Sequence, residues 1–522
     1  MKPSQIRRPV VKINSGPQQA LFDIPAEPVT RQQQSSCPQK IQFHDPDPNY
    51  LRFGERSLRE HLLQVGIKDA VLIREIIDEQ DFSAFVQRYQ PTGRRSYAPR
   101  AMAGLILYGL IRGISSLRDL ERLSRVDLGC MWVTGGIAPD HSVLGRFIHR
   151  HAEELSETLF EGLLESVLKR TNSGRQQLAG DATIMEAMGS RYALLEGEAL
   201  EQGRTDEERA QRQHLKKELE RRREESGGRG HTSGHPGEPE ASVLKQKGGS
   251  YFRPSYVPAI LANDQRVVVD AELDGQHELR PMAKLIRRQD FETLSLDNGF
   301  LAEELLEDAV ENNRDLLVAV KQPSPRAGKY FGDHRFVYDE ERDAYSCPAG
   351  QQLTRVRRGR SGHQDKPYTE YQTKACIECP LREKCTQRKH RTIRRSRATE
   401  LREGMSLVMA QRPARRRYAQ HRSWVEPVFS SLRLRQGLNR FRRKGLANAR
   451  LEFRLHIMAY NISRAWAAAR ASFGLQNGLS QALKDAILGR WSKWLVEYCQ
   501  KTTNGTRALL PAEPNSGWPL AA

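Results

Sequence analysis

The chain is short of acid. Against 83 Lys and Arg stand 64 Asp and Glu, which leaves a formal charge of +19 over 522 residues. It is also short of cysteine: seven residues, an odd number, thinly spread outside one cluster. That excludes a disulfide framework and fits a reducing compartment. Long apolar runs are missing too. Mean hydropathy is −0.67, no stretch is long enough to span a bilayer, and residues 1–5 lack the apolar run of a signal peptide, so the expectation is a cytoplasmic protein with no membrane partner. What is present is length, enough for two to four domains rather than one core.

Residues 1–48, rich in Pro, Gln and Ser, read as a disordered arm. Residues 49–172 read as an all-α domain. Pro99 suits a first helical turn, and the segment AMAGLILYGLI at 101–111 is apolar on every face, as a buried helix is. Ser115 and Ser116 supply a helix start, and so does the Pro139-Asp140-His141-Ser142 turn; His141 reads there as a turn residue rather than a ligand or base. From 173 to 345 the pattern changes to strands alternating with helices, which predicts an α/β domain with a mixed sheet flanked by helices. Within it 195–250 is charge-dense and then Gly-rich, and reads as an inserted exposed helix plus a disordered linker. A Cys-rich module at 346–395, a helical stretch at 396–470 and a tail at 471–522 complete the division.

The positive charge is focused. Between Thr386 and Arg450 there are 19 Lys and Arg and 3 acidic residues, an excess of 16 beside the +19 of the whole chain. Such a field attracts a phosphate backbone and displaces its counterions. One of the three acids is Glu426, with Arg422 four residues before it and Arg433 seven after it, on one helical face if the segment is helical. Pro427 places Glu426 at a helix entrance, since Pro is tolerated at the first helical position. Two more acids end strand patterns: Asp181 in QLAGDAT and Asp297 in TLSLDNGF, the latter at the carboxyl edge of a βαβ unit, where α/β sheets place chemistry. A few carboxylates can hold two Mg²⁺ ions about 3.5–4 Å apart, which activates a nucleophile and steadies the leaving oxygen of a phosphodiester. Taken singly, Asp297-Asn-Gly is an ordinary turn and Arg422/Glu426 an ordinary i,i+4 pair. Their order and the basic field give the triad its weight.

Cys347, Cys376, Cys379 and Cys385 lie within 39 residues. Four thiolates suit tetrahedral Zn²⁺, with His363 or His390 able to replace one; reduced thiols packing a small β subdomain fit the spacing equally well.

These motifs together resemble the DDE transposases of bacterial insertion sequences. The likeness covers roughly residues 80–470. It rests on Tyr97-Ala-Pro99, Gly113-Ile-Ser-Ser-Leu-Arg118, Pro139-Asp-His-Ser142, Asp181 and Asp297-Asn-Gly-Phe300. It is densest at Arg422-x3-Glu426-Pro-x-Phe429, Arg433, Gly437, Arg440-Phe-Arg-Arg-Lys-Gly445, Glu452 and Ala459-Tyr-Asn461. The resemblance implies an RNase H-like catalytic domain with Asp181, Asp297 and Glu426 as Mg (or Mn) ligands. It implies double-stranded DNA as partner, both element terminal inverted repeats and target, and a homo-oligomer on that DNA in a nucleoid-associated setting. Arg422, Arg433, Arg440, Arg442, Arg443 and Lys444 would contact DNA, and the helical leader, with Arg118 and Arg146, would read the element ends. Where many relatives place Tyr three residues before the Arg, this chain has Ala419, with Tyr418 beside it. A decayed, non-catalytic DNA-binding copy and a nuclease that only hydrolyses are the alternatives.

Overall fold

The computed structural model describes residues 41–91, 94–225, 232–246, 251–320, 330–360 and 366–476. The expected arm therefore lies mostly outside the described residues, but 41–48 are docked, not loose. His44 bridges to Tyr97, and Gly135, at φ +79°, lets the chain pass where a Cβ would stand 2.1 Å from the Pro46 carbonyl oxygen.

A short hairpin (β1, Arg52–Phe53; β2, Arg56–Ser57) leads into a helical layer. Its helices are α1 (Leu58–Gln64), α2 (Lys68–Asp78), α3 (Ser83–Val86), α4 (Pro99–Ile111) and α5 (Leu117–Val126). Then come α6 (Leu128–Thr134), α7 (His141–Arg150), α8 (Ala152–Ser156) and α9 (Thr158–Thr171). Ser57 and Glu60 close a capping box on α1, and the Asp140 carboxylate caps α7 by accepting from the Ser142 and Val143 amides. Pro99 opens α4, and every residue from Ala101 to Leu110 is buried, as its all-round apolar sequence predicts.

The main sheet follows. Its central path is β3 (Gln177–Ala182), β8 (Phe252–Asn263), β9 (Val268–Asp274), β10 (Thr293–Leu296) and β11 (Asp315–Val318), reached after the minor strands β4 (Met185–Glu186), β5 (Leu195–Glu196), β6 (Ser233–Gly234) and β7 (Ser242–Lys245). Across the sheet the order is β9-β8-β3-β10-β11. The β9/β8 and β8/β3 pairs are antiparallel, and the β3/β10 and β10/β11 pairs are parallel. Parallel neighbours need a crossover. Helix α12 (Glu303–Glu311) supplies it between β10 and β11, after α11 (Leu279–Arg288) has returned the chain from β9.

The inserted segment departs from expectation. Helix α10 (Asp206–Glu225) is polar and largely exposed, yet Leu215, Leu219 and Arg222 are buried. Arg222 is 1% exposed and donates to the Pro239 and Ala241 carbonyls and the Ser242 hydroxyl, so that 239–242 is clamped. Beyond it β7 pairs with Phe252–Ser255 of β8 and widens the sheet. Residues 226–231 and 247–250 lie outside the described residues.

A second sheet runs β12 (Val337–Asp339), β13 (Ala344–Ser346), β14 (Gln352–Arg360), β15 (Pro367–Gln372) and β16 (Ile393–Ser396), antiparallel throughout, with α13 (Arg382–Cys385) on the β15–β16 link. It has its own core of Phe336, Tyr345, Leu353, Tyr371 and Ile393. It thus begins at Val337, ahead of the boundary at 346 read from the first cysteine, because its opening strands carry aromatics and no Cys. The chain returns through α14 (Arg397–Ala410), α15 (Arg412–Tyr418), α16 (His421–Leu434) and α17 (Leu446–Gln476). Helix α17 packs on α4, α8 and α9 of the helical layer and on β9 of the main sheet. One apolar core therefore runs from Leu58 to Ala465. Among the described residues, no helix is long and apolar enough to cross a membrane.

A candidate carboxylate site at the edge of the main sheet

Asp181 and Asp297 are neighbours. The register of the parallel pair sets Leu296 beside Gly180, so the next positions, Asp297 and Asp181, fall side by side at the carboxyl ends of β10 and β3. Asp297 follows β10 in extended conformation and caps a short 3₁₀ turn, Asn298–Phe300, by accepting from the Asn298 amide at 2.8 Å. Asp181 lies within β3, one residue from its end, and accepts from the Ala182 amide at 2.8 Å. A strand that ends in Asp-Asn-Gly folds this way because the Asx side chain takes over as acceptor where the ladder stops.

Helix α16 lies against β3. His421, Val425, Val428, Phe429 and Leu432 form its buried stripe. His421 Nε2 donates to the Gly180 carbonyl at 3.0 Å, which anchors the helix beside Asp181. The buried Nδ1 of that ring has no hydrogen-bond partner among the described residues. Tyr418 stacks on His421, ring centroids 5.4 Å apart and 8° from parallel, and its hydroxyl donates to Asp297 Oδ1 at 3.3 Å. Burial first, then the Asp297 charge and hydrogen bond, push the Tyr418 phenol up to about 12; Asp181 adds to the rise and Arg422 opposes it. Tyr418 therefore stays protonated as a donor, within electrostatic reach of both aspartates.

Glu426 is in the middle of α16, not at its entrance. The helix begins five residues earlier, and Pro427 sits inside it. Pro427 removes the amide that would reach the Ser423 carbonyl, a cost borne because the apolar stripe and the His421 anchor hold both sides of the helix. Arg422, Glu426 and Arg433 flank the buried stripe on one edge, as their spacing predicts. Arg433 donates to the Thr183 hydroxyl at 2.6 Å and the Ile184 carbonyl at 3.2 Å, just past β3. Burial lowers its pKa, and Asp181 opposes that shift. Glu426 is thus set between a neighbour of Tyr418 and a neighbour of Asp181. Its side chain is 64% exposed and stands 3.8 Å from Arg422 Nε. Asp181 and Asp297 share the sheet edge, and Glu426 lies on the helix packed on β3, but among the described residues no group of three or more His, Cys, Asp or Glu is arranged to hold a metal ion.

The six basic residues expected at DNA divide by what they touch. Arg433 and Arg440 are committed to the chain itself, Arg440 donating to the carbonyls of Ala187, Met188 and Gly189. Arg443 is half-buried beside Glu452, and burial lowers its pKa. Arg422 is 77% exposed, and Arg442 and Lys444 are exposed. Periodicity could not separate these groups, because the difference lies in which backbone carbonyls the fold brings near.

Cys347, Cys376, Cys379 and Cys385 line one cavity of about 20 Å³ next to the small sheet, and all four are free thiols. Burial pushes the Cys385 thiol up; Arg391 opposes this, and the other three cysteines add to it. His390 Nδ1 faces the Thr373 carbonyl at 3.1 Å, which commits that nitrogen to backbone. His363 lies outside the described residues.

Two segments match known families. Residues 346–466, which hold Glu426, the cysteines and the basic helices, match the family described as Transposase DDE domain. Residues 61–150, the helical layer, match the family described as Transposase domain (DUF772). None of the curated proteins compared is a match. Among solved structures, the cryo-EM structure of a piggyBac transposase synaptic complex with hairpin DNA is similar at 11% identity, over 78% of this chain and 76% of that one. Its TM-score of 0.27 is too low to carry an argument.

Proposed function

We propose that this chain, a DDE transposase of the insertion-sequence kind by its two transposase segments, cuts DNA at the ends of its element and joins the freed ends to target DNA. The observation that carries the reading is the pairing of Asp181 with Asp297 on adjacent parallel strands, under the helix that bears Glu426. The strand order β9-β8-β3-β10-β11, with an antiparallel half and a parallel half, supports an RNase H-like catalytic domain.

The donor set fits a hard divalent cation. It offers carboxylate oxygen only, and Glu426 is exposed, with Arg422 at 3.8 Å as its ion-pair partner among the described residues. Asp181, Asp297 and Glu426 would hold Mg²⁺ or Mn²⁺. When bound, such ions lower the pKa of a water and neutralise charge on the phosphate under attack. The residues of the chain do the rest. Tyr418 keeps Asp297 oriented by donating to one oxygen, so that the other points elsewhere. His421 locks α16 to β3, which fixes the distance of Glu426 from Asp181. Arg422, exposed at the rim, would hold a flanking phosphate through two parallel N–H···O bonds. Arg433 would act one layer down, fixing the turn after β3.

The partner proposed is double-stranded DNA, both element ends and target, bound by a homo-oligomer. In the small sheet four thiols line one small cavity; they are not arranged as a closed metal site in this structure, but four thiolates are the donor chemistry of a structural Zn²⁺, which they would hold after a local rearrangement. The test is end cleavage and strand transfer with a mini-element built from the DNA flanking the gene, in Mg²⁺. Glu426→Gln keeps size and polarity but loses a ligand charge. It should drop both reactions to background and leave affinity for end DNA nearly unchanged. Cleavage at an ordinary rate by Glu426→Gln would refute the catalytic assignment. Hydrolysis without strand transfer by the unaltered protein would favour the nuclease alternative.

A further inference from the structure

Two buried carboxylates hold the backbone of the basic loop that leads into α17. Glu452, on α17 itself, accepts from the Arg442 and Arg443 amides. The second is Glu238, from the insertion at 195–250. It is 0% exposed, and its Oε2 accepts from the Gly445 amide at 2.8 Å and the Tyr256 hydroxyl at 2.6 Å. Lys444 is exposed and stands between the anchored amides of Arg443 and Gly445. We propose that Glu238 is a positioning residue: through the Gly445 amide it aims the Lys444 ammonium at a phosphate of bound DNA. The inference rests on the DNA reading above and gives the insertion a task in it.

The insertion builds this contact from its own turn. Arg222 on α10 clamps 239–242, the Glu238 amide donates to the His235 carbonyl at 3.0 Å, and the Ala241 amide donates to the Glu238 carbonyl at 3.0 Å. The turn lies against the loop it serves. A side-chain carbon at Gly237 would stand 3.9 Å from Lys444 Nζ, and burial, then the charges of Lys444 and Arg440, lower the pKa of His235. Phe441 fixes the start of the loop: it is 1% exposed, edge-on to Tyr256, and its amide donates to the Glu186 carbonyl at 2.9 Å. Gly445, at φ +82° with open space around it, is the point where the backbone keeps most freedom. The bonds from its amide to Glu238 and from Asn448 Nδ2 to the Lys444 carbonyl (2.8 Å) fix the peptide plane that joins it to Lys444.

A helix cap alone does not call for this residue. Burying a carboxylate costs stability unless its oxygens are bonded, and Glu238 Oε1 has no hydrogen-bond partner among the described residues. A neutral Ser, Thr or Asn satisfies an amide at a helix start without that cost. The charge adds something a neutral cap lacks. It offsets the mutual repulsion of Arg440, Arg442, Arg443 and Lys444, so the loop is held in one shape before DNA arrives.

The experiment is fluorescence anisotropy of the full chain on a random-sequence duplex over a salt series. It compares the parent with Lys444→Gln, Glu238→Ala, Glu238→Gln and the Glu238→Ala/Lys444→Gln pair. Lys444→Gln should make the slope of log K against log salt shallower by about 0.9, which is about a fivefold loss of affinity near 0.15 M salt. Glu238→Ala should do the same, and the pair should lose no more than either alone, since both changes remove one contact. Glu238→Gln keeps an acceptor for Gly445 and should keep the parent's slope. Should Glu238→Ala not fold, Glu238→Asp, one methylene short of the amide, carries the same expectation. Additive losses in the pair would overturn the proposal and leave the Lys444 contact standing. So would a Glu238→Gln protein as weak as Glu238→Ala. A lower melting temperature with an unchanged slope would make Glu238 a structural cap only, which also overturns it. An unchanged slope in Lys444→Gln would remove the contact and the positioning role together, and a parent that fails to bind duplex would sink the DNA reading itself.

Discussion

Glu452 offers a prediction whose size follows from its surroundings. Its carboxylate is 6% exposed, near the start of α17, and accepts from the Arg442 amide at 3.0 and 3.1 Å and from the Arg443 amide at 3.1 Å. These bonds and the nearby arginines favour the charged form, but burial outweighs them and lifts the pKa from 4.5 to about 7. A carboxyl raised in the folded state binds its proton more tightly there than when unfolded. Its contribution to stability is therefore fully present below the unfolded value and is lost as pH rises through the folded one. Two and a half units at 1.36 kcal/mol each make that loss about 3 kcal/mol between roughly pH 4.5 and 7. Buried histidines in the same core titrate over part of this window in the opposite sense, His456 with its pKa lowered to about 3 by burial, so the whole-protein curve is a mixture. Substitution isolates the term. Glu452→Gln keeps an oxygen for the two amides and cannot ionise. Urea unfolding of both proteins from pH 4.5 to 8 should show them nearly level in acid, with the glutamine form gaining about 3 kcal/mol relative to the parent by pH 8. A difference that stays constant with pH, or one that grows in favour of the parent, would refute the reasoning.

Tyr418→Phe removes the hydroxyl that orients Asp297 but leaves the ring on His421; cleavage should fall about tenfold, the scale of one hydrogen bond to a charged group, with the melting temperature unchanged. Arg222→Met strands the Pro239 and Ala241 carbonyls and should cost about 3 kcal/mol, read as faster limited proteolysis within 232–246. Cys379→Ser should lower bound zinc, measured by elemental analysis of the purified protein, and loosen the small sheet without abolishing duplex binding; full zinc retention would remove Cys379 as a ligand.

What the sequence disclosed, it disclosed through local pattern. The apolar run at 101–111 could only be a buried helix, and the β-branched run at 266–270 followed by an acid-ended strand at 293–297 required a sheet edge. Placing Glu426 failed for a reason equally local. Ala419-Gln420-His421 offers no side-chain cap, while Pro427 is the strongest start signal nearby. The true start depends on His421 meeting a carbonyl 241 residues away, which no window contains. Tyr418, Arg433 and Arg440 are alike in this respect, since their roles are set by partners across the sheet. In the insertion, the tyrosine- and proline-bearing start of β8 needed an edge partner, and β7 supplies it from a segment that reads as linker.

Helix α17 closes the core of both layers, and this orders events during synthesis. α4 is buried all round with α17 along one flank and α2, α5 and α6 along the others. Until residues 446–465 leave the ribosome, the first helices have an uncovered apolar flank. At ordinary elongation rates that wait lasts on the order of tens of seconds. A chain broken off before α17 would be a sticky, protease-sensitive fragment. Completeness of the polypeptide would thus be checked by solubility itself.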